Sequence, residues 1–159
     1  MQVTNIEKAA SRATITAEIT KADLDPIYIW QPGTPFLYDL KVRVLKDEVA
    51  VDTVDTYFGM RKVEVKEGKI YLNNNPLYQR LILDQGYWPD TNITPPSDEA
   101  IKLDLQYTLD FGYNGARKHQ KIDDPRYYYW ADKLGMLVWG EMPSTYAYTH
   151  ESVENLSET

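Results

Sequence analysis

The sequence predicts an α+β chain, with a β-rich first part over residues 1–63 and a strand–helix part over residues 64–159. Three observations carry this reading. Leu40-Lys41-Val42-Arg43-Val44 alternates apolar and basic residues, the period of a half-buried strand. Residues 111–146, FGYNGARKHQKIDDPRYYYWADKLGMLVWGEMPSTY, read as strand, helix, strand. The last of these strands, Met136-Leu137-Val138-Trp139, is apolar throughout and runs into Gly140-Glu141. A buried strand that ends on a carboxylate fits a parallel sheet with its site at the strand C-termini.

In chain order, Ala13–Ile19 alternates small or apolar with polar residues and is expected to be a strand. Trp30-Gln31-Pro32-Gly33-Thr34-Pro35 is dense in turn formers. Leu37–Leu45 is the clearest strand, with Asp47-Glu48 as its polar turn and Val49–Tyr57 as its partner. Short strands at this spacing indicate a β-sandwich. Only about four are present where the immunoglobulin type has ~7, so residues 1–63 read as the later part of a sandwich. Residues 64–80 form a bridge, with Ile70-Tyr71-Leu72, an Asn73-Asn74-Asn75 turn and Leu77-Tyr78 suggesting a hairpin.

Residues 78–143 carry three strand–helix units. The first strand is expected at Gln79–Leu83, running into Asp84-Gln85-Gly86-Tyr87-Trp88. Ser97 can cap the next helix, and Asp98 and Glu99 place acids in its first turn. Ile101, Leu105, Thr108 and Leu109 form its buried stripe, and Gly112 closes it. The second strand is expected at Tyr113–Ala116, followed by Arg117-Lys118-His119-Gln120. Asp124-Pro125 opens the second helix, Tyr128, Ala131 and Leu134 form its stripe, and Gly135 ends it. Trp139, in the third strand, is expected in the core. Residues 144–159 are polar with little periodicity and read as a frayed tail or the start of a longer excursion.

Composition excludes several classes of partner. The formal charge is −7 and the cations are scattered, which argues against nucleic acid or an anionic membrane. There is no cysteine, so disulfides and thiolate metal sites are excluded, while the compartment stays open. Two histidines argue against a histidine-rich metal centre. The first twelve residues lack the apolar segment of a signal peptide, and no stretch has the length of a membrane span. Thirteen tyrosines and four tryptophans can fill cores or stack on sugar rings.

The strand ends supply the candidate binding groups: Asp84, Gln85, Tyr87 and Trp88 after the first strand, Arg117, Lys118, His119 and Gln120 after the second, and Glu141 after the third. Each has a structural alternative. Arg117 can pair with Glu141 across neighbouring strands, His119 can satisfy a backbone carbonyl, and Tyr87 and Trp88 can cover the sheet rather than meet a ligand.

The ordered series WQPGTPFLYDLKVRVL, YFGMRKVEV, IYLNNNPLYQR and DFGYNGARKHQKIDDPRYYYWADKLGMLVWGEM resembles glycoside hydrolase family two, from Trp30 to Pro143. That family includes β-galactosidases, β-glucuronidases and β-mannosidases. The resemblance implies a jelly-roll domain, an immunoglobulin-like sandwich and a catalytic TIM barrel in the parent, of which this chain would hold a partial sandwich (1–63) and the first three barrel units (64–159). It implies retaining hydrolysis of terminal β-linked sugars by two glutamates, one in an Asn-Glu pair after barrel strand four and one after strand seven. Retention needs carboxyls ~5–5.5 Å apart. The sequence contains no Asn-Glu dipeptide, so the chain alone is expected to have no catalytic residue, cofactor or metal, and no glycosidase activity. Arg117 matches the family's strand-two arginine and Glu141 its strand-three glutamate. Gln120 stands where the family's Arg-x-Ser-His carries histidine, and Gly140 stands where aspartate is usual. The alternative is a non-catalytic carbohydrate-binding or structural module using Tyr87, Trp88 and Arg117. In either case three strands would leave open edges, and self-association is expected.

Overall fold

The computed structural model describes residue 24, residues 26–144 and residues 147–157; the strand expected at Ala13–Ile19 lies outside them. The first described strands, β1 (Trp30–Gln31) and β2 (Thr34–Pro35), pair antiparallel. Pro32 and Gly33 turn the chain between them, with Gly33 at φ +84°. Proline presets the first central angle of such a turn and glycine accepts the positive second one.

A long hairpin follows: β3 (Tyr38–Lys46) and β4 (Val49–Phe58), with a bulge between Val44 and Leu45. Asp47 and Glu48 both have positive φ, the mirror-image two-residue turn whose twist matches that of the strands. Directly opposed residues share a face. Tyr38, Leu40, Val42 and Val44 therefore lie on the same side as Phe58, Thr56, Val54 and Asp52. Leu40, Val42, Val44 and Val54 are exposed on that side. Among the described residues β3 and β4 pair only with each other, so no two-sheet sandwich is seen.

Residues 63–76 are a three-stranded meander rather than the expected hairpin: β5 (Val63–Lys66), β6 (Lys69–Leu72) and β7 (Asn75–Pro76). Two tight turns build it, Glu67-Gly68 and Asn73-Asn74, all four residues having positive φ. The asparagine turn is legible from sequence; Glu67-Gly68 is a second reversal hidden between two lysines.

The remainder is a parallel sheet of order β10–β9–β8, from β8 (Leu81–Asp84), β9 (Gly115–Lys118) and β10 (Leu137–Trp139). Helices α1 (Asp98–Asp110) and α2 (Pro125–Leu134) make the crossovers. Both helix starts follow the expected chemistry. Ser97 Oγ accepts from the Ala100 N–H, and the Asp124 carboxylate accepts from the Arg126 N–H ahead of Pro125 at the first helical position. Gly135 closes α2 in the left-handed conformation at φ +79°.

The strands begin later than expected, and Asn114 explains why. Its side chain accepts from the Arg80 N–H and donates to the Tyr78 carbonyl. The side chain thus takes backbone groups at residues 78–80 that a ladder would otherwise use, and regular pairing starts at Leu81 opposite Gly115. Residues 113 and 114 are not in β9, while Arg117 and Lys118 are.

Ala116 of β9 packs with Ile101 and Leu105 of α1 and Tyr127 and Ala131 of α2, with Ile82 and Val138 beside them. Tyr127, rather than Tyr128, is the buried ring of α2. A second cluster joins Trp30, Leu72 and Leu137. Trp30 is 1% exposed, and its indole N–H donates to the Asp132 carbonyl at the end of α2. Tyr57 of β4 reaches the same residue, its hydroxyl donating to the Asp132 carboxylate at 3.1 Å. Burial first, then the Asp132 charge, pushes the Tyr57 phenol up to about 12, so this junction persists below the ordinary tyrosine pKa and weakens as the pH rises through the folded value.

Two expectations fail at the end of the chain. Trp139 is 47% exposed: it shares with Leu83 and Arg117 the sheet face that no helix covers. Residues 150–157 form a helix, α3 (His150–Ser157), not a frayed tail. Thr149 and Ser152 start it by exchanging hydrogen bonds, each side-chain oxygen accepting from the other's backbone N–H. This is a serine version of the capping box.

Gly115 sets how closely the parallel strands approach. A Cβ there would lie 2.7 Å from Leu81 Cδ2 and 2.8 Å from Leu137 Cβ. Gly115→Ala is expected to destabilise by about 1–3 kcal/mol through overpacking, seen as a lower urea midpoint at unchanged slope.

Candidate functional site

The C-terminal ends of β8, β9 and β10 lie side by side, so the groups that follow them are brought together. The two-residue period of β9 divides its polar residues between two faces. Arg117 points with Leu83 and Trp139 to the uncovered face. Lys118 points with Ala116 to the helix side, where it is 1% exposed.

On the uncovered side, Arg117 donates from Nε to Glu141, whose second oxygen accepts from the Gln120 N–H at 3.0 Å. The Arg117–Glu141 pair expected across neighbouring strands is therefore formed, and Gln120 joins it through its backbone rather than its amide. These two hydrogen bonds, the Arg117 one first, hold the Glu141 carboxyl below the usual glutamate range. His119 does not satisfy a carbonyl with its ring. Its Nδ1 lies 2.9 Å from the Gln85 amide nitrogen, while its backbone N–H donates to the Asp84 carbonyl. With the amide donating, Nδ1 accepts and any ring proton sits on Nε2.

Tyr87, two residues after Gln85, is 70% exposed. Trp88 turns inward against the helix core and closes a small loop through backbone hydrogen bonds with Asn92. Of the two aromatic residues expected at the first strand end, Tyr87 presents its ring to solvent and Trp88 covers the core.

Asp84 does not join the exposed group. Its carboxylate is 2.6 Å from Lys118 Nζ on the helix side, and its other oxygen accepts from the Gly86 N–H at 2.7 Å. Asp84 and Glu141 thus serve different partners on opposite sides of the sheet, and they do not form a facing carboxylate pair.

Lys118 and Asp123 were not legible as partners from sequence. Lys118 Nζ is 2.5 Å from the Asp123 carboxylate and 4.1 Å from the centre of the Tyr127 ring. Asp123 is also buried, and Lys121 lies 3.6 Å from it, so two ammonium groups face two carboxylates. Asp104 of α1 lies near enough to be pushed up, by its own desolvation first and then by the Asp84 charge. Burial, together with Asp84, likewise raises the Tyr127 phenol. Removing one partner from a buried pair of this kind costs about 3–5 kcal/mol, because the other charge stays buried. The available signal was the spacing itself: a lysine at an inward position of a strand, with aspartates at the neighbouring strand end and before a helix. Among the described residues no group of histidine, aspartate or glutamate side chains is arranged to hold a metal ion.

The Glu141 environment is testable by titration. A carboxyl held down in the fold contributes stability above its ordinary value of 4.5 and loses it as the pH falls through the lower folded value. Arg117→Gln is expected to move the Glu141 titration, followed by carboxyl carbon NMR, upward toward the ordinary value. An unchanged Glu141 curve would show that Arg117 is not the cause.

Comparison with known proteins points in one direction. The model of the family described as "Glycosyl hydrolases family 2" matches residues 2–61. A β-glucuronidase of Streptococcus agalactiae is 28% identical over 76% of this chain, which spans 20% of that relative. A β-galactosidase of Vibrio vulnificus is 29% identical over 70% of this chain and is itself covered over 11%. Among solved structures, β-glucuronidase 3 of Bacteroides uniformis superposes with a TM-score of 0.72 at 22% identity, covering 82% of this chain and 17% of that one. The β-glucuronidase of Parabacteroides merdae gives 0.67 at 23% identity, over 73% and 14%. The chain therefore spans a fifth or less of these relatives. The family match over the β-rich part and relatives that also take in the parallel sheet meet on the same group of hydrolases: the chain is similar to part of the glycosyl hydrolases of family 2.

Proposed function

We propose that this chain is the part of a family 2 glycosidase that joins a partial immunoglobulin-like sandwich (1–63) to the first three strand–helix units of a (β/α)8 barrel (64–159), and that it contributes one wall of a sugar-binding cleft. The observation that carries this is the parallel sheet β8–β9–β10, which has helices on one face only and gathers Gln85, Tyr87, Arg117, His119, Gln120 and Glu141 at one end. In a barrel the helix-free face is the inside, and the C-terminal strand ends carry the site. The layer Leu83–Arg117–Trp139 then faces the barrel interior, where further strands would cover it.

The geometry supports the following roles. Arg117 and the Gln120 N–H keep Glu141 ionised and oriented, so it accepts hydrogen bonds from sugar hydroxyls rather than donating a proton. Gln85 and His119 offer a paired donor and acceptor at the edge of the same face. Tyr87 offers an apolar ring face to the C–H side of a pyranose. Asp84 belongs to the support behind this wall.

The parent reaction is the hydrolysis of a terminal β-linked sugar with retention. The chain holds no Asn-Glu pair, and its strand-end carboxylates are both committed to cations. It is therefore inactive by itself. Purified chain is expected to release no nitrophenol from 4-nitrophenyl β-D-glucuronide or β-D-galactoside. Turnover by the purified chain that is lost in Glu141→Gln or Asp84→Asn would refute the assignment of the two catalytic acids to other segments.

The second reading, a non-catalytic carbohydrate-binding module, is favoured by the exposed Tyr87 and Trp139 rings. Calorimetry with methyl β-D-glucuronide and methyl β-D-galactoside separates the two. Binding lost in Tyr87→Ala supports the module, and absence of heat with either sugar counts against it.

Uncovered apolar faces on β3–β4 and on the parallel sheet also favour association of the isolated chain. Light scattering is expected to show oligomers at micromolar concentration. A monodisperse monomer would contradict this.

A further inference from the structure

Lys118 is the largest charged side chain buried among the described residues, and the binding groups do not use it directly. Its ammonium group meets Asp84, the last residue of β8, and Asp123, in the loop that leads into α2. Each contact extends into a different connection. Asp84 holds the Gly86 N–H, and so shapes the Gln85–Gly86 turn. Asp123 pairs with Lys121, whose ammonium donates to the Ile93 carbonyl in the loop that carries Tyr87 and Trp88. Space around Gly86 is tight and its φ is +68°: a Cβ there would lie 2.5 Å from Lys121 Nζ and 3.2 Å from the Asp123 carboxylate. One buried cation thus ties together the two connections that carry Gln85, Tyr87 and His119.

We infer that Lys118 is a positioning residue for the strand-end face: by holding Asp84 and Asp123 together it sets the Gln85–His119 hydrogen bond and the placement of Tyr87 on the opposite side of the sheet. Its value for sugar binding rests on the function proposed above; the positioning itself does not. Lys118 is suited to this because it is adjacent to both Arg117 and His119 in sequence, so a shift of its ammonium group moves the backbone that carries them. The carboxylates it joins are themselves fixed. Asp84 accepts from Gly86, and Asp123 accepts from the Asp124 N–H at 2.7 Å. The cation is therefore the buried link between the two loops, beside the Lys121–Ile93 and Gln85–His119 contacts at their surface.

The test uses the full chain and two readouts that do not need a sugar. These are the nuclear Overhauser contact between the Gln85 amide and the His119 ring, and hydrogen exchange of the Gly86 amide. In Lys118→Met the contact is expected to vanish and Gly86 exchange to quicken about tenfold or more. In Leu105→Ala, which weakens the helix core but removes none of the hydrogen bonds or ion pairs of these loops, both are expected to stay as in the wild type. If Lys118→Met does not fold, Asp123→Asn, which keeps the Lys118–Asp84 pair, is read in the same way, with the expected change confined to Gly86 and the Lys121 loop. The inference is overturned if a folded Lys118→Met or Asp123→Asn keeps both signals, or if Leu105→Ala loses them equally. Calorimetry with methyl β-D-glucuronide and methyl β-D-galactoside is the third arm, with affinity expected to fall about tenfold in Lys118→Met. If the wild type binds neither sugar, the carbohydrate reading fails while the first two readouts still decide the role of Lys118.

Discussion

The strand β9 carries a constraint that the rest of the parallel unit obeys. It is the central strand, flanked on both sides, and its side chains must alternate between a face packed by helices and a face left open. Gly115 and Ala116 are small because neighbours approach on each side, and Arg117 and Lys118 then fall on opposite faces. One cation is free to meet Glu141 in the open. The other has to be neutralised in the interior, because an unpaired ammonium in a dry core is too costly to keep. The positions of Asp84 and Asp123, and with them the paths of two loops, answer that requirement.

A consequence is a division of labour between acids. Three carboxylates lie near the strand ends, yet they have different surroundings. Asp84 and Asp123 face the helix layer and work as counter-ions. Glu141 faces out, held ionised by Arg117 and a backbone N–H. A general acid in glycoside hydrolysis needs a carboxyl whose environment keeps its proton, and the environment of Glu141 does the reverse. Charge placement therefore supports the binding wall proposed above over a reacting pair.

The β-rich part is joined to this unit through few but buried groups. Trp30 is enclosed by Leu72 and Leu137 and donates to the last turn of α2, and Tyr57 of the long hairpin reaches the same aspartate. The apolar face of β3 and β4 has no such cover among the described residues, and on the helix-free face of the parallel sheet Leu83 and Trp139, beyond the covered Leu137, are exposed. In the reading proposed above, both are surfaces that further strands would bury; the chain spans a fifth or less of the relatives it matches.

Sequence alone was sufficient wherever a local rule decides the outcome. Helices α1 and α2 start at Ser97 and Asp124 and α2 stops at Gly135, because capping and positive φ are properties of a few adjacent residues. The pairing of Arg117 with Glu141 was also legible, since parallel strands put their ends together. Tertiary structure decided the rest. Asn114 delayed the sheet by taking backbone groups from residues 78–80, Lys118 went inward rather than outward, and Trp139 stayed exposed because the sheet face it sits on has no layer over it. Each of these turns on which side of a strand faces a neighbour. A one-residue change in where the ladder begins reverses that for every side chain, and only the packed fold supplies the starting point.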